Sequence, residues 1–340
     1  MIAVSVIIPF FNAEKHLPKN ITSLLQQSLL QCEFIFISDG STDNSVSIIS
    51  DYQKLDNRIH LIHQENQGVS AARNKGIQHA KGEFIGFLDA DDYVENHFFQ
   101  TLYTIACLEK VDIVSSHFYK EYEAVSEVVK PKQPLNKRLD KDFIQHNVIP
   151  EFIQGSSLNS CWNKLYKASL VKNISFPVGV PLGEDGIFNL QVFNQVDTIF
   201  FADYCGYHYI EVEGSATRNA AQKDYFERAL EVYAFDYQKL ISFPLDEHKV
   251  DQWKSVRLLN SVISYIHIYL QPSSGLSFLQ RVHYVKRMIM QPMVQQSVRN
   301  YFEEISLGKS KYQQIILNCI RNQSLIKLIL MHQYSQFRNS

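Results

Sequence analysis

Over the first 120 residues, short apolar runs rich in β-branched side chains alternate with longer stretches in which apolar positions recur every three to four residues. The first run, residues 3–9 (Ala-Val-Ser-Val-Ile-Ile-Pro), has the composition of a buried strand and stops at Pro9, which cannot donate to a sheet ladder. A helical period follows over 16–28, with Pro18 in its first turn, where proline's missing N–H is not needed. The same alternation predicts strands at 33–38, 59–63 and 83–88, and helices at 43–55 and from Gln67-Gly68 to about 80. Strand and helix in succession imply an α/β fold with a mainly parallel sheet, flanking helices and right-handed crossovers. A helix at 95–109 and a strand at 111–116 extend that sheet.

Beyond 119 the pattern changes. Residues 119–150 are charged and mixed, with Pro131 and Pro134, and read as a hairpin or excursion. A Pro/Gly-rich run at 176–183 leads into Glu184 and Asp185, which open a helix to about 193. Acids suit that position because the positive end of the helix dipole favours them. Strands near 197–202 and 205–211 complete a first domain. From about 220 the period is helical, with Leu258, Leu259, Val262, Ile263, Ile266 and Leu270 on one apolar face and a break at 272–275. The chain therefore divides into an α/β domain, 1–217, and a mostly helical region, 218–340, as its length of 340 residues allows.

Composition is that of a globular protein, 45% hydrophobic and 20% charged. The formal charge of −2 argues against a nucleic-acid partner, but it is unevenly spread. Residues 276–340 hold nine Lys/Arg against Glu303 and Glu304, a balance of +7, while the other 275 residues carry 24 basic against 33 acidic side chains. A basic C-terminal region on an acidic body is expected to meet an anionic membrane surface, a lipid-linked acceptor or another subunit of a homo-oligomer. The five cysteines are scattered with no metal spacing. With strand-like sequence directly after Met1 and no apolar stretch near the ~18–20 residues of a membrane span, the expectation is a cytoplasmic protein with free thiols.

One stretch concentrates candidate chemistry. Phe84-Ile85-Gly86-Phe87-Leu88 runs straight into Asp89-Ala90-Asp91-Asp92. The acids then lie at the C-terminal end of a central strand, where open α/β sheets keep their ligands. Three carboxylates within four residues invite a hard divalent cation, which takes carboxylate oxygens together with substrate phosphates. A solvated acidic turn is the alternative. The sequence has no Gly-x-Gly-x-x-Gly, no Gly-x4-Gly-Lys-Ser/Thr, no His-Glu-x-x-His, and no Gly and distal Glu of a calcium loop after the acids.

The order of the motifs is specific. Pro9-x-x-Asn12-x-Glu14 is followed by Asp39-Gly40-Ser41-Thr42-Asp43, by Asn66-x-Gly68-x-Ser70-x-Ala72-Arg73-Asn74, by Asp89-x-Asp91-Asp92, by Asn163-Lys164-Leu165-Tyr166 and by Gly183-Glu184-Asp185. The set resembles the family-2 glycosyltransferases over residues 3 to about 217. The resemblance implies the GT-A fold, inverting transfer from a nucleotide-diphosphate sugar, UDP-linked in the first instance, to a hydroxyl of a lipid-linked or protein-linked glycan, and dependence on Mn²⁺ or Mg²⁺. It also implies roles. Pro9, Asn12 and Glu14 border the nucleotide, with Glu14 at a ribose hydroxyl, and Asp39 accepts from a uracil-like base. Ser38 stands where the family often has Asp or Asn. Arg73 reaches the diphosphate, Asp89 and Ala90 lie on the ribose side, Asp91 binds the metal and Asp92 supports it. His208 is a second metal or phosphate contact, or else a core histidine. Asp185 is the base, with Glu184 structural or at the acceptor. Trp162 stacks on a sugar or in the core, Lys164 lies under the site, and Ser215, Thr217 and Arg218 form a lid. Asp43 is left to capping a helix. Two rivals are a non-catalytic sugar-nucleotide or glycan-binding module and a sugar-phosphate nucleotidyltransferase. The latter calls for a Gly-rich basic loop after the first strand, which Phe10-Phe11-Asn12-Ala13-Glu14 is not.

Overall fold

The structure, a computed structural model, describes residues 1–122, 125–155, 157–180, 183–211, 224–271 and 276–339. The chain splits into two compact units, 1–212 and 213–340. The proposed lid residues Ser215, Thr217 and Arg218, the expected boundary at 217 and the break at 272–275 lie outside the described residues.

In the first unit, β1 (Val4–Phe10), β2 (Cys32–Asp39), β3 (Ile59–Gln64) and β4 (Phe84–Phe87) pair in parallel in the order β3-β2-β1-β4. Every residue of β1, β2 and β4 is buried, as continuous apolar runs covered on both faces require. The crossovers are α1 (Leu17–Leu25), α2 (Ser45–Leu55) and α3 (Val69–His79). The sheet then departs from simple alternation. After β5 (Tyr93–Val94) and α4 (Phe98–Glu109), β6 (Ile113–Tyr122) turns back into β7 (Val125–Val129), giving the hairpin expected within 119–150. β8 (Arg138–Asp140), α5 (Lys141–Phe143) and α6 (Ile149–Gln154) follow.

Two differences from the sequence reading reshape the sheet beside the acids. β6 does not extend the parallel set directly, because β9 (Lys164–Lys167) inserts between β4 and β6, antiparallel to both. Four residues are too few to show a period, and only pairing on both sides makes this segment a strand. After α7 (Ala168–Val171) and α8 (Glu184–Gln195), the two strands expected near 197–211 are one, β10 (Thr198–Ile210), whose parallel ladder with β6 slips between Phe201 and Cys205 and again between Cys205 and Tyr207.

The second unit is helical: α9 (Tyr225–Ala234), α10 (Glu247–Leu270), α11 (Phe278–Met290), α12 (Pro292–Asn300), α13 (Phe302–Ser306), α14 (Lys311–Arg321) and α15 (Leu325–Asn339). The predicted face of α10, from Leu258 to Leu270, is buried in a common core with Val285, Ile289, Val298, Leu317 and Leu328. Ser277 and Ser310 close reciprocal capping boxes at the starts of α11 and α14, which satisfy N-terminal donors that a helix leaves unpaired.

One close approach sets the position of the site. A Cβ on Gly76 would stand 2.3 Å from Ile7 Cγ2, so the missing side chain lets α3 lie directly on β1 one turn beyond Arg73. Gly76→Ala is expected to force the helix off the sheet and cost roughly 1–3 kcal/mol of stability, the range for overpacking. Urea unfolding measures the loss, and an unchanged midpoint would show that the contact does not set the spacing.

Candidate active site

The loops after β1 and β2 are stitched together at the C-terminal edge of the parallel strands. Asn12 takes the left-handed conformation, φ 49°, which asparagine tolerates better than most residues. Its Oδ1 accepts from the Thr42 N–H at 2.8 Å, and Glu14 Oε2 accepts from the Asn44 N–H and side-chain amide at 3.1 and 3.0 Å. Asp43 accepts from the Glu14 and Ser45 N–H groups at 3.1 and 3.0 Å, the capping place expected of it. Pro9 is buried at the end of β1. Asp39, 5% exposed, accepts from Gln64 Nε2 and from the N–H groups of Gln67 and Gly68 at 2.8, 2.9 and 2.8 Å. The carboxylate assigned to a base thus anchors the N-terminus of α3.

α3 delivers Arg73 to the centre. Its side chain is 4% exposed and meets three carboxylates: Nη2 donates to Asp89 Oδ1 at 2.9 Å, and Nη1 to Asp185 Oδ1 at 2.6 Å and to Glu184 Oε1 at 3.3 Å. Asp89 ends the β4 run, while Glu184 and Asp185 begin α8 behind Gly183, which is at φ 88°. Asn74, the next residue of the motif, hydrogen-bonds the Phe176 carbonyl and N–H at 2.9 and 2.7 Å. The Phe176 ring lies 5.2 Å from the guanidinium and stacks on Phe188 of α8 at 3.8 Å. Burial pushes the Asp185 and Glu184 carboxyls above their usual range, with Arg73 opposing the rise in both. The Cys161 N–H donates to Asp185 Oδ2 at 3.3 Å.

The acid triplet has three different environments. Asp89 is taken by Arg73. Asp92, 1% exposed, accepts from the Tyr207 hydroxyl at 2.6 Å and the Ile210 N–H at 2.8 Å. Asn20 of α1 holds the turn by donating to the carbonyls of Asp89 and Asp92 at 3.0 and 2.9 Å, around the buried Ala90. Asp91 is the member with no ion pair among the described residues, and burial and then the charge of Asp89 push it up to about 6, against its own N–H and His16. Among the described residues no three His, Cys, Asp or Glu side chains gather as a metal cage. One carboxylate without an ion pair beside Asp89 and Asp92 does fit a Mg²⁺-like ion, which takes one or two carboxylates plus substrate phosphates.

Three further residues of the sequence reading have structural surroundings. His208 does not join Asp91. Alternation along β10 sends Tyr207 toward Asp92 and His208 to the other face, where its Nδ1 lies 2.6 Å from Glu121 and its ring stacks on Tyr93 and Tyr119. Trp162 is buried and stacks on Tyr207 and Tyr209 at 4.3 and 5.5 Å, a core role. Lys164 is fully buried, donating to the Ser160 carbonyl and Asn163 Oδ1 at 2.6 and 3.0 Å, which supports the floor and leaves no reach to an acceptor. Tyr207, Asn74 and Asn20 are the residues that sequence reasoning passed over. The run Tyr207-His208-Tyr209 alternates as a strand would, but nothing local says which face meets the acids.

The model of glycosyl transferase family 2 matches residues 5–174. An uncharacterized glycosyltransferase of Bacillus subtilis, EpsJ, is 37% identical over 63% of this chain and 62% of its own, so the match spans less than two thirds of that relative. A putative glycosyltransferase of the same organism, EpsH, is 30% identical over 74% of this chain and 72% of its own. Among solved structures, S. aureus TarS 1–349 in complex with UDP-GlcNAc superposes with a TM-score of 0.64 at 20% identity, covering 98% of this chain and 92% of that one, and so shares its fold.

The Asp92 environment has a pH consequence. Burial, then the charges of Asp91 and Asp89, hold its carboxyl well above the usual range. The folded metal-free protein then binds protons that the unfolded chain has released, so stability falls as pH rises from about 4, the unfolded value, toward neutrality. Asp92→Asn keeps the shape and removes the charge. It is expected to raise the Tm at pH 7 without added metal and to flatten the dependence between pH 4 and 7, as followed by thermal unfolding. A lower Tm at pH 7 would show that the hydrogen bonds outweigh the repulsion.

Proposed function

The chain belongs to glycosyl transferase family 2, and from that premise we propose that it is a metal-dependent, inverting glycosyltransferase acting on a UDP-sugar. The observation that carries this is the single polar cluster in which Asp89, Asp185 and Glu184 share Arg73, with Asp91 beside them. The nucleotide is assigned to the edge formed by the loops of Asn12-Glu14 and Asp39, at the C-terminal ends of β1 and β2. The likeness to TarS 1–349 supports a UDP-sugar as the donor.

Asp91 is the residue proposed to hold Mn²⁺ or Mg²⁺, with Asp92 fixing the turn behind it. A bound cation would neutralise the diphosphate and improve it as a leaving group. Asp185 is assigned as the base. Oδ1 is committed to Arg73, while Oδ2 takes the longer bond from the Cys161 N–H and the Cys161 thiol also hydrogen-bonds the carboxylate, so Oδ2, the oxygen free of the guanidinium, is assigned to take the acceptor's proton. The acceptor hydroxyl loses that proton and forms a bond to the anomeric carbon, and the bond from that carbon to the diphosphate breaks, releasing UDP. One displacement inverts the centre, so an α-linked donor gives a β-glycoside. A hydroxyl of a lipid-linked or protein-linked glycan is the proposed acceptor.

A screen of nucleotide sugars for Mn²⁺-dependent release of UDP tests the reading, with the anomeric coupling of the product read by proton NMR. Asp185→Asn should lower kcat by ~10²–10⁴, the usual share of a general base, and leave UDP affinity near wild type. Asp91→Ala should abolish the metal dependence of UDP binding in calorimetry. Donor binding with no turnover on any acceptor would favour a binding module, and an α product from an α donor would remove Asp185 from the role of base.

A peripheral contact with the cytoplasmic face of a membrane is proposed for the second unit. On α15, Ile326, Leu330 and Tyr334 are 76%, 59% and 62% exposed and recur at four-residue spacing, so they form one ridge. The helix itself contains no acid, and residues 276–340 carry the +7 balance. An apolar ridge among cations suits an anionic bilayer surface, and among the described residues no helix is long and apolar enough to cross one. Co-sedimentation with phosphatidylserine vesicles is expected, weakened by salt and by the pair Ile326→Ser and Leu330→Ser. Absence of vesicle binding together with a concentration-dependent mass would assign the ridge to a second copy.

A further inference from the structure

The sequence resemblance sends Arg73 to the donor diphosphate, but the surroundings of its guanidinium favour a different task. We infer that Arg73 is the positioning residue of Asp185, holding the base carboxylate in place and ionised throughout the reaction and not leaving it to bind the donor. This rests on the reading of Asp185 as the base.

Three observations carry it. First, Arg73 is enclosed. Its side chain is 4% exposed, its fork is divided between Asp89 and Asp185, and the Phe176 ring lies 5.2 Å away. Moving it to a phosphate would strand three partly buried carboxylates, and an uncompensated buried charge is among the most destabilising defects a protein can carry. Second, its orientation serves the acids. Nε is buried with no partner, while Nη1 and Nη2 make the 2.6 and 2.9 Å bonds. Third, the scaffold fixes α3 rather than letting it move. Asp39 grips the N–H groups of Gln67 and Gly68 just ahead of it, Gly76 seats it on β1, and Asn74 bonds the backbone of Phe176 on both sides.

The electrostatics give the role its chemistry. Asp185 faces Arg73, Asp89, Glu184, Cys161, Lys164 and Tyr166. Burial and Asp89 favour the protonated acid, whereas Arg73 favours the carboxylate. A protonated Asp185 cannot accept the proton of the acceptor hydroxyl. Arg73 therefore governs the fraction of enzyme that is competent, and does so through another residue without touching donor or acceptor. The net charge of three carboxylates and one guanidinium is −2, so the cluster offers a diphosphate no free cation of its own.

The test separates positioning from anion binding. In Arg73→Met, the acid limb of the kcat profile should move to higher pH by roughly 1–3 units, the effect of losing an adjacent opposite charge, and activity should recover as pH is raised. UDP affinity in Mn²⁺, measured by calorimetry, should stay within about tenfold of wild type, under roughly 1.4 kcal/mol. Arg73→Lys, which keeps the charge but loses the fork, should leave the limb near wild type with lower turnover. The ¹³C NMR titration of labelled aspartates, with Asp185→Asn assigning the resonance, reads the same shift without substrate. A weakened UDP affinity with an unmoved Asp185 titration would overturn the inference and return Arg73 to the diphosphate. If Arg73→Met does not fold, Arg73→Gln, which removes the charge but keeps hydrogen-bond donors, decides: retained UDP affinity with a shifted Asp185 titration supports positioning, and loss of more than about tenfold overturns it. If wild type turns over no donor, the proposed function fails, while the NMR titration still reports on the Arg73–Asp185 pair.

Discussion

One guanidinium holds together carboxylates that would otherwise repel each other. Asp89 arrives from the end of β4, Glu184 and Asp185 from the first turn of α8, and Arg73 from α3 lies between them at 2.6–3.3 Å. These are separate crossovers of the same sheet, and their mutual position depends on this contact. The cost of partly burying three acids is offset only while the fork keeps its geometry. Much of the surrounding packing serves that geometry. Gly76 sets the height of α3, Asp39 fixes its start, and Asn74 with Phe176 ties it to the segment that leads into α8.

The same constraint explains why three aspartates within four residues have unlike properties. Asp89 is compensated by a cation. Asp92 is compensated by two hydrogen bonds, from Tyr207 and Ile210, and lies almost wholly out of water. Asp91 has no ion pair among the described residues, and burial first, then the charge of Asp89, raises it to about 6. A carboxylate without an ion pair at this turn fits the chemistry of a divalent-cation ligand.

The faces of β10 sort the aromatic residues. Tyr207 and Tyr209 stack with Trp162 on the side of Asp92, and His208 stacks between Tyr93 and Tyr119 beside Glu121. A one-residue change in register would exchange these sets, and the ladder with β6 slips twice just before Tyr207. The floor of the site is equally a product of pairing. β9 is a strand because β4 and β6 flank it, and its Lys164 is buried on Ser160 and Asn163.

The sequence alone determined the alternation of strand and helix to Val94, the helical second unit, the buried face of α10 and the ordered motifs that mark the family. These are local signals: apolar period, turn residues and proline positions act over a few residues and survive whatever the rest of the chain does. Through the family resemblance it also singled out Arg73, Asp89, Asp185 and Glu184. Tertiary structure decided which of them touch. The pairing of Arg73 with Glu184 and Asp185 spans more than 110 residues, and no local period encodes it. Tertiary structure also decided that Asp39 binds the start of α3, that Tyr207 and not His208 faces the acids, and that β9 enters the sheet. Each of these depends on register and on burial, and both are properties of the packed molecule in which distant segments remove one another from water.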